Sequence, residues 1–183
     1  CALPISPVAY EDRQQIEPER FLAFFDSLSA WYPGIHRVME REQIGDYSLL
    51  FTWEGSDPVA EAVVLASHID VVPVPATSLS DWDADPFSGE IRDGYIWGRG
   101  ALGAKSSLIG VMEAVEDLID QGFEPRRTLI LAFGGDEERG GYLGAKVMAD
   151  LLASRGIRAT LVLDEGLFIM DGIVPGITQI GRA

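Results

Sequence analysis

The sequence predicts an α/β domain with a largely parallel central sheet flanked by helices. The second half of the chain alternates apolar, strand-like runs with amphipathic helical segments, which is the pattern of parallel strands joined by helical crossovers. Two of the runs, 62–68 and 128–133, are apolar enough for strands that are buried in a sheet. With 183 residues, of which 47% are hydrophobic, the chain is long enough to form one domain around a core.

The first half of the chain is predicted to contain one helix and three strands. Apolar residues recur at helical spacing over 17–31, and Pro33-Gly34 is expected to end that helix. His36 falls in the first, charged strand-like run and is interpreted as a surface residue. The three strand-like runs are 36–42, 47–53 and 62–68.

The second half is predicted to contain a hairpin, two helices and two strands. The hairpin covers 90–97 and turns at Asp93-Gly94, a common pair in such turns. Helical periodicity extends over 104–121 and over 140–154. The two strands are predicted at 128–133 and 160–164.

Composition and charge exclude several classes of function. The formal net charge of −15 makes a nucleic-acid partner unexpected, because a phosphate backbone requires a basic counter-surface. Cys1 is the only cysteine, so any metal must be bound by histidine and carboxylate ligands. No apolar run approaches the roughly 20 residues that span a bilayer, and the first residues lack the features of a signal peptide. We therefore expect a soluble protein without a membrane span.

Polar side chains follow three of the predicted strands, at the points where those strands end. Since ligands of open α/β sheets bind beyond the carboxyl ends of the strands, these residues are expected to converge on one site. They are His68 and Asp70, then Asp136, Glu137 and Glu138, then Asp164 and Glu165.

This set of residues suits a metal-dependent reaction. Imidazole and carboxylate are the zinc ligands available to a chain without usable cysteines. The spacing of His68 and Asp70 allows the acid to bond the ring nitrogen that faces away from a metal. Glu137 and Glu138 are adjacent in a loop and should point in different directions, so that one can ligate a metal while the other takes a proton. Asp164 would supply a further ligand oxygen.

Each of these residues also has a structural interpretation when it is considered alone. Acids just before the helix at 140–154 are favourable next to its dipole. Asp164 at a strand end is typical of a turn or a cap, and His68 is compatible with a core histidine. A glycine pattern at 98–103, G-x-G-x-x-G, leaves dinucleotide binding as a remote alternative, although the charged hairpin before it is not the buried strand that such sites need.

Six segments, taken in order along the chain, resemble zinc exopeptidases related to carboxypeptidase S, within the wider aminoacylase and glutamate carboxypeptidase family. The segments are VAYED, YSLLFTWEGSDP, SHIDVVPV, DWDADPFSGEIRDGYIWGRGAL, FGGDEERGGYLGAK and LVLDEG. The resemblance implies a three-layer, zinc-exopeptidase-like fold and a metallopeptidase or amidohydrolase with two zinc ions per site. It implies short peptides or N-acyl amino acids as substrates.

The resemblance also implies a role for each matching residue. His68 and Asp164 would bind the first zinc, and Asp70 would orient His68. Glu137 matches the general base that activates the water, and Glu138 matches a ligand of the second zinc. The resemblance further implies that residues 1–183 are a truncated, partial catalytic domain. The lid or dimerisation domain, through which a homodimer would form, and the C-terminal catalytic part would then lie outside this chain.

Two departures from the family pattern bear on activity. Gly103 occupies the position of the aspartate that bridges the two zinc ions, and no histidine follows His68 to supply the family's last ligand. Gly135 also stands where close relatives often carry histidine. These departures leave two interpretations open: an enzyme of this family, and a catalytically dead fragment or non-enzymatic interaction domain.

Overall fold

The computed structural model describes residues 7–165, which form one five-stranded sheet, a separate two-stranded hairpin and four α-helices. The helices are α1 (Pro18–Trp31), α2 (Pro33–Val38), α3 (Lys105–Asp120) and α4 (Ala145–Ser154). The strands are β1 (Glu40–Ile44), β2 (Ser48–Trp53), β3 (Ala62–His68), β4 (Glu90–Arg92), β5 (Tyr95–Trp97), β6 (Leu129–Gly134) and β7 (Ala159–Leu163). None of the helices in the described part is long and apolar enough to cross a membrane.

The five-stranded sheet has the order β1-β2-β6-β3-β7. β3 runs parallel to both β6 and β7, and the helices α3 and α4 make the crossovers between them. β1 and β2 extend the sheet as an antiparallel pair next to β6. The prediction of a parallel sheet flanked by helices is therefore confirmed, with an antiparallel edge that the strand and helix rhythm did not predict.

Helices cover both faces of the sheet, so that the domain has three layers. One face packs against α1, α2 and α3 through a cluster that includes Phe24, Leu28 and Met112. The other face packs against α4 through a smaller cluster that includes Ile130 and Met148. β7 is less covered, since its Leu161, Val162 and Leu163 are exposed.

The strand predicted at 36–42 is wrong in its first four residues, because β1 begins only at Glu40. Residues 36–38 belong to α2, and Met39 follows that helix. α2 begins at Pro33, one residue after α1 ends, so Pro33-Gly34 begins a helix as well as following one. The cause is tertiary: the Glu116 carboxylate of α3 accepts hydrogen bonds from the N–H groups of Gly34 and Ile35, both at 2.7 Å, and so caps α2.

His36 is consequently not a surface strand residue. It is half-buried in α2, and its Nδ1 donates to the Tyr32 carbonyl at 2.9 Å. Its ring lies edge-on to Phe51, with 5.3 Å between the ring centroids. These contacts give His36 a packing role, and it is not one of the candidate ligands.

The other predicted elements agree with the structure, with one shifted boundary. The hairpin turns at Asp93-Gly94, where both residues have positive φ, 53° and 80°, as a tight hairpin turn requires. The helix predicted at 140–154 begins only at Ala145, because Gly140 and Gly141 adopt positive φ, 93° and 68°, in the preceding loop.

Candidate metal centre

The ends of β3 and β6 lie side by side, which brings the predicted polar clusters together. The two strands pair in parallel register, with His68 opposite Gly134. Just beyond the strands, the Ile69 N–H donates to the Gly134 carbonyl at 2.7 Å. β7 pairs with the other side of β3, so the residues that follow Leu163 reach the same edge of the sheet.

Asp70 holds His68 in one orientation. Both side chains are buried, with exposed fractions of 0% for Asp70 and 3% for His68. His68 Nδ1 lies 2.9 Å from the Asp70 carbonyl oxygen and 3.2 Å from the Asp70 Oδ1 atom. Because both partners are acceptors, the proton of the neutral ring belongs on Nδ1, and Nε2 keeps a free lone pair.

Asp70 also connects β3 to the loop that carries the acids. Its two carboxylate oxygens accept hydrogen bonds from the N–H groups of Glu137 and Glu138, each at 3.1 Å. These two residues begin a short 3-10 turn, Glu137–Arg139, where the N–H groups have no helical partner. One buried carboxylate therefore fixes both the histidine and the backbone of the acidic loop.

Two carboxylates face the free nitrogen of His68. Its Nε2 lies 3.7 Å from Glu137 Oε2 and 3.3 Å from Glu165 Oε1. The three potential ligand atoms all lie within 4.8 Å of one another. A histidine nitrogen with two carboxylate oxygens is a donor set that suits zinc, so the residues present fit the metal that the sequence suggested.

The charges at this site shift three pKa values. Burial alone would lower the pKa of His68, but the hydrogen bond and charge of Asp70, with the charges of Glu165 and Glu137, raise it to about 8. Burial raises the pKa of the Glu137 carboxyl, and the His68 charge only partly opposes this. Burial lowers the pKa of the Lys105 ammonium to about 8, against the charges of Asp70 and Glu138.

The two other predicted ligands lie near this group without joining it. Glu138 is bound through its backbone to Asp70, and its charge acts on Lys105. Asp164 lies in the wall of the same cavity, and its Oδ1 accepts the N–H of Glu165 at 2.8 Å. Their roles as zinc ligands remain predictions.

Glu165 is the residue that the sequence reasoning left without a role. Its carboxylate lies closer to His68 Nε2 than that of Glu137 does, whereas the family resemblance implies Asp164 as the ligand. The available signal was weak: both acids follow the same strand, and nothing in the pattern tells which one turns towards the neighbouring strand. Lys105 was also not singled out, although it lies next to the site.

Gly103 lies in the wall of the cavity with free space around it. A Cβ atom built there would meet no other atom within 4 Å, so nothing in the described residues prevents a larger side chain. Gly135 is different, since a Cβ atom there would collide with the backbone carbonyl of Tyr47. The segment before α3 therefore has room for a carboxylate at Gly103, whereas the loop after β6 has no room for a histidine at Gly135.

The site opens into a cavity of about 950 Å³. His68, Glu137 and Glu165 line its polar end, and side chains of β3, β6 and α4 line its apolar side. The glycine pattern at 98–103 follows the exposed hairpin β4–β5 and no strand of the central sheet, which is the wrong context for the dinucleotide alternative.

The chain is similar to known proteins over most of its length. The model of Peptidase family M20/M25/M40 matches residues 64–181. The chain is 38% identical over 180 residues to N-fatty-acyl-amino acid synthase/hydrolase PM20D1 of Xenopus tropicalis, a match of 97% of this chain and 34% of that protein. It is 40% identical over 159 residues to carboxypeptidase S of Saccharomyces cerevisiae, a match of 84% of this chain and 27% of that protein.

The fold is found in solved structures as well. Human carnosine dipeptidase 1 superposes with a TM-score of 0.68 at 17% identity, over 92% of this chain and 37% of that chain. The chain thus spans about a third of the length of the curated relatives it matches. The family model covers more than half of the chain and includes the ends of β3, β6 and β7, which carry the candidate ligands. The chain therefore belongs to Peptidase family M20/M25/M40.

Proposed function

We propose that this chain carries part of the active site of a zinc-dependent amidohydrolase that cleaves short peptides or N-acyl amino acids. The observation that supports this proposal is a buried histidine whose Nδ1 is held by Asp70, so that Nε2 faces the carboxylate of Glu165, a candidate ligand, and that of Glu137, the candidate base. The names of the relatives, a carboxypeptidase and an N-fatty-acyl-amino acid hydrolase, belong to the same class of amide chemistry.

The zinc would be held first by His68, with oxygen ligands from Glu165, Asp164 or Glu138. A zinc ion bound there would act as a Lewis acid on the amide carbonyl of the substrate. Asp70 keeps the proton of His68 on Nδ1, which leaves Nε2 available as a ligand. This orienting contact is the kind that raises metal affinity in other zinc sites.

Glu137 is the proposed general base. Its side chain is half exposed at the cavity, so it can reach a substrate and a water molecule. Its raised pKa makes it a better proton acceptor than an ordinary surface carboxylate, and the same group can return the proton to the leaving amine. The proposal assigns proton transfer to Glu137 Oε2, the oxygen closest to His68.

A second zinc would need ligands other than those of the first. Glu138 remains as a predicted ligand, but Gly103 offers no carboxylate to share between two ions. We propose that residues 1–183 are the first part of a catalytic domain, with the lid domain and further ligands lying outside. A non-enzymatic domain that keeps this fold is the second candidate, and Gly103 is the observation that favours it.

The first test is zinc content after dialysis of the chain against trace zinc. We expect about one zinc per chain, lost in His68→Ala and retained in His36→Ala, which removes the other histidine of the chain. Circular dichroism should verify that both variants are folded. A wild-type chain without zinc, or equal zinc in both variants, contradicts a metal centre at His68.

The second test is hydrolysis of a dipeptide and of an N-acyl amino acid by the zinc-loaded chain. Glu137→Gln should abolish hydrolysis while most of the zinc is retained, because the amide cannot accept the proton. Zinc binding without hydrolysis in the wild type would favour the non-enzymatic candidate.

A further inference from the structure

Lys105 occupies a position that is unfavourable for a lysine. It is the first residue of α3, where the positive end of the helix dipole repels a cation. It is also half-buried, and burial lowers the pKa of its ammonium group to about 8. A side chain that breaks two local preferences needs a compensating interaction, and positions of this kind are concentrated at functional sites.

The compensating contact of Lys105 is with the backbone of the candidate site. Its Nζ donates a hydrogen bond to the Ile69 carbonyl at 3.2 Å and lies 5.9 Å from the centre of the Phe24 ring. Ile69 is fully buried, and its N–H already donates to Gly134 of β6. Ile69 is thus held at both of its backbone groups, by β6 on one side and by the start of α3 on the other.

Ile69 is the residue between the histidine and its orienting acid. His68 precedes it and Asp70 follows it, and the Asp70 carboxylate contacts both the His68 ring and the N–H groups of the acidic loop. A shift of the Ile69 carbonyl would therefore move the two side chains that set the direction of the free His68 nitrogen. The hydrogen-bonded chain runs from α3 through Ile69 to Asp70 and the loop after β6.

We propose that Lys105 is a positioning residue for the metal centre, because it anchors the backbone of the segment His68–Asp70 through the Ile69 carbonyl. It touches neither substrate nor metal in this role. The inference rests on the proposed function where zinc affinity is measured, and a second, zinc-free measurement tests it separately.

The experiment compares Lys105→Met with Lys146→Met, the same change at the other lysine of the chain. Lys146 is an exposed residue of α4 that pairs with Asp150 at 2.6 Å. Zinc affinity is measured by competition with a chromophoric chelator. We expect about 10- to 100-fold weaker binding in Lys105→Met, the range seen when contacts behind metal ligands are removed, and no change in Lys146→Met.

The zinc-free measurement is nitrogen NMR of the two imidazoles at about pH 9.5, where the His68 ring is neutral and the amine of Lys105 still donates. The wild type and Lys146→Met should show His68 as the single Nδ1–H tautomer. Lys105→Met should show a mixture of tautomers at His68 and an unchanged signal from His36, which serves as an internal reference.

A purely packing role for Lys105 gives a different result. Lys105→Met would then lower the unfolding midpoint, but the folded protein would bind zinc and hold its His68 tautomer as the wild type does, which overturns the proposal. If Lys105→Met does not fold, Lys105→Ala, which also removes the donor to the Ile69 carbonyl, takes its place, and wild-type values for both measurements overturn the proposal equally. If the wild type binds no zinc, the proposed function fails while the tautomer measurement still decides the role of Lys105.

Discussion

The tetrapeptide Leu-Gly-Ala-Lys occurs twice in this chain, at 102–105 and at 143–146, and the two copies behave differently. Each copy leads into a helix that packs on the sheet, α3 in the first case and α4 in the second. The lysine of the first copy is half-buried and bonds the backbone beside His68, whereas the lysine of the second is exposed and pairs with Asp150. The same local sequence thus serves the candidate site once and the helix surface once.

The glycines of the two copies also differ in their surroundings, but here the second copy is the crowded one. Gly103 has free space around it, but a Cβ atom at Gly144 would lie 2.6 Å from Ser48 Oγ and 2.7 Å from Asp136 Oδ1. The second copy therefore has a crowded glycine and an exposed lysine, and the first has an uncrowded glycine and a half-buried lysine. Helix propensity is equal in the two copies, so the difference comes from what each segment packs against.

The largest expected effect is on folding stability at the crowded glycine. Gly144→Ala should lower the free energy of unfolding by about 2–3 kcal/mol, because the methyl group displaces Ser48 and Asp136 from their contacts. Gly103→Ala should change it by less than about 0.5 kcal/mol. Urea denaturation checks both values, and equal losses in the two variants would contradict the difference in packing.

The next effect concerns zinc at the open glycine. Gly103→Asp places a carboxylate in the cavity that His68, Glu137 and Glu165 line. We expect at least about tenfold tighter zinc binding, or about 1.4 kcal/mol, since the new group adds an anionic ligand. Isothermal titration against Gly103→Asn, which has the same size without the charge, is the measurement. Equal zinc affinities for Gly103→Asp and Gly103→Asn would contradict the expectation that a carboxylate at this position binds zinc.

The third effect is a pH dependence of stability that the half-buried Lys105 should cause. The pKa of Lys105 is about 8 in the folded chain, against 10.5 for an ordinary lysine. Between these values the unfolded chain binds more protons, so stability rises with pH; below about pH 8 the full cost of the buried charge is present. Relative to Lys105→Met, the wild type should gain about 1–2 kcal/mol between pH 8 and pH 10.5, allowing for partial exposure.

Denaturation at a series of pH values measures this gain, and Lys146→Met is the control. This variant keeps Lys105, so the gain in stability between pH 8 and pH 10.5 should remain. A constant difference between the wild type and Lys105→Met across the range would mean that Lys105 keeps an ordinary pKa.

The smallest effect is the loss of the surface ion pair in the second copy. Lys146→Met should cost about 0.3–0.5 kcal/mol in low salt, the usual value for an exposed pair four residues apart on a helix. The loss should disappear in about 1 M salt, where such pairs are screened. A loss well above about 0.5 kcal/mol, or one that persists in about 1 M salt, would contradict a surface ion pair.

Much of the fold could be predicted from local patterns. β3 and β6 are apolar runs, and α3 carries an apolar stripe. Both patterns arise because buried positions recur at the spacing of a strand or a helix. α2 could not be predicted, since its cap is supplied by Glu116, about 80 residues away in the sequence. The antiparallel edge formed by β1 and β2 likewise depends on pairing and not on composition.

The candidate site divides in a similar way. His68, Asp70 and Glu137 could be singled out because each follows the end of a recognisable strand, and neighbouring parallel strands end at one edge of a sheet. The approach of Glu165 to His68 could not, because it depends on how the residues after β7 turn. The role of Lys105 was hidden for the same reason, since its partner is a backbone carbonyl of another element.

By itself, then, the sequence determined the strands, the main helices, the family and the acids and histidine that follow the strand ends. Those properties depend on residue type and spacing, and these patterns involve residues only a few positions apart in the chain. Only the tertiary structure decided which acid approaches His68, which glycine has room for a side chain and which of two identical tetrapeptides binds the site. These depend on distances between segments far apart in the chain, and the energy of a buried polar contact changes steeply with such distances.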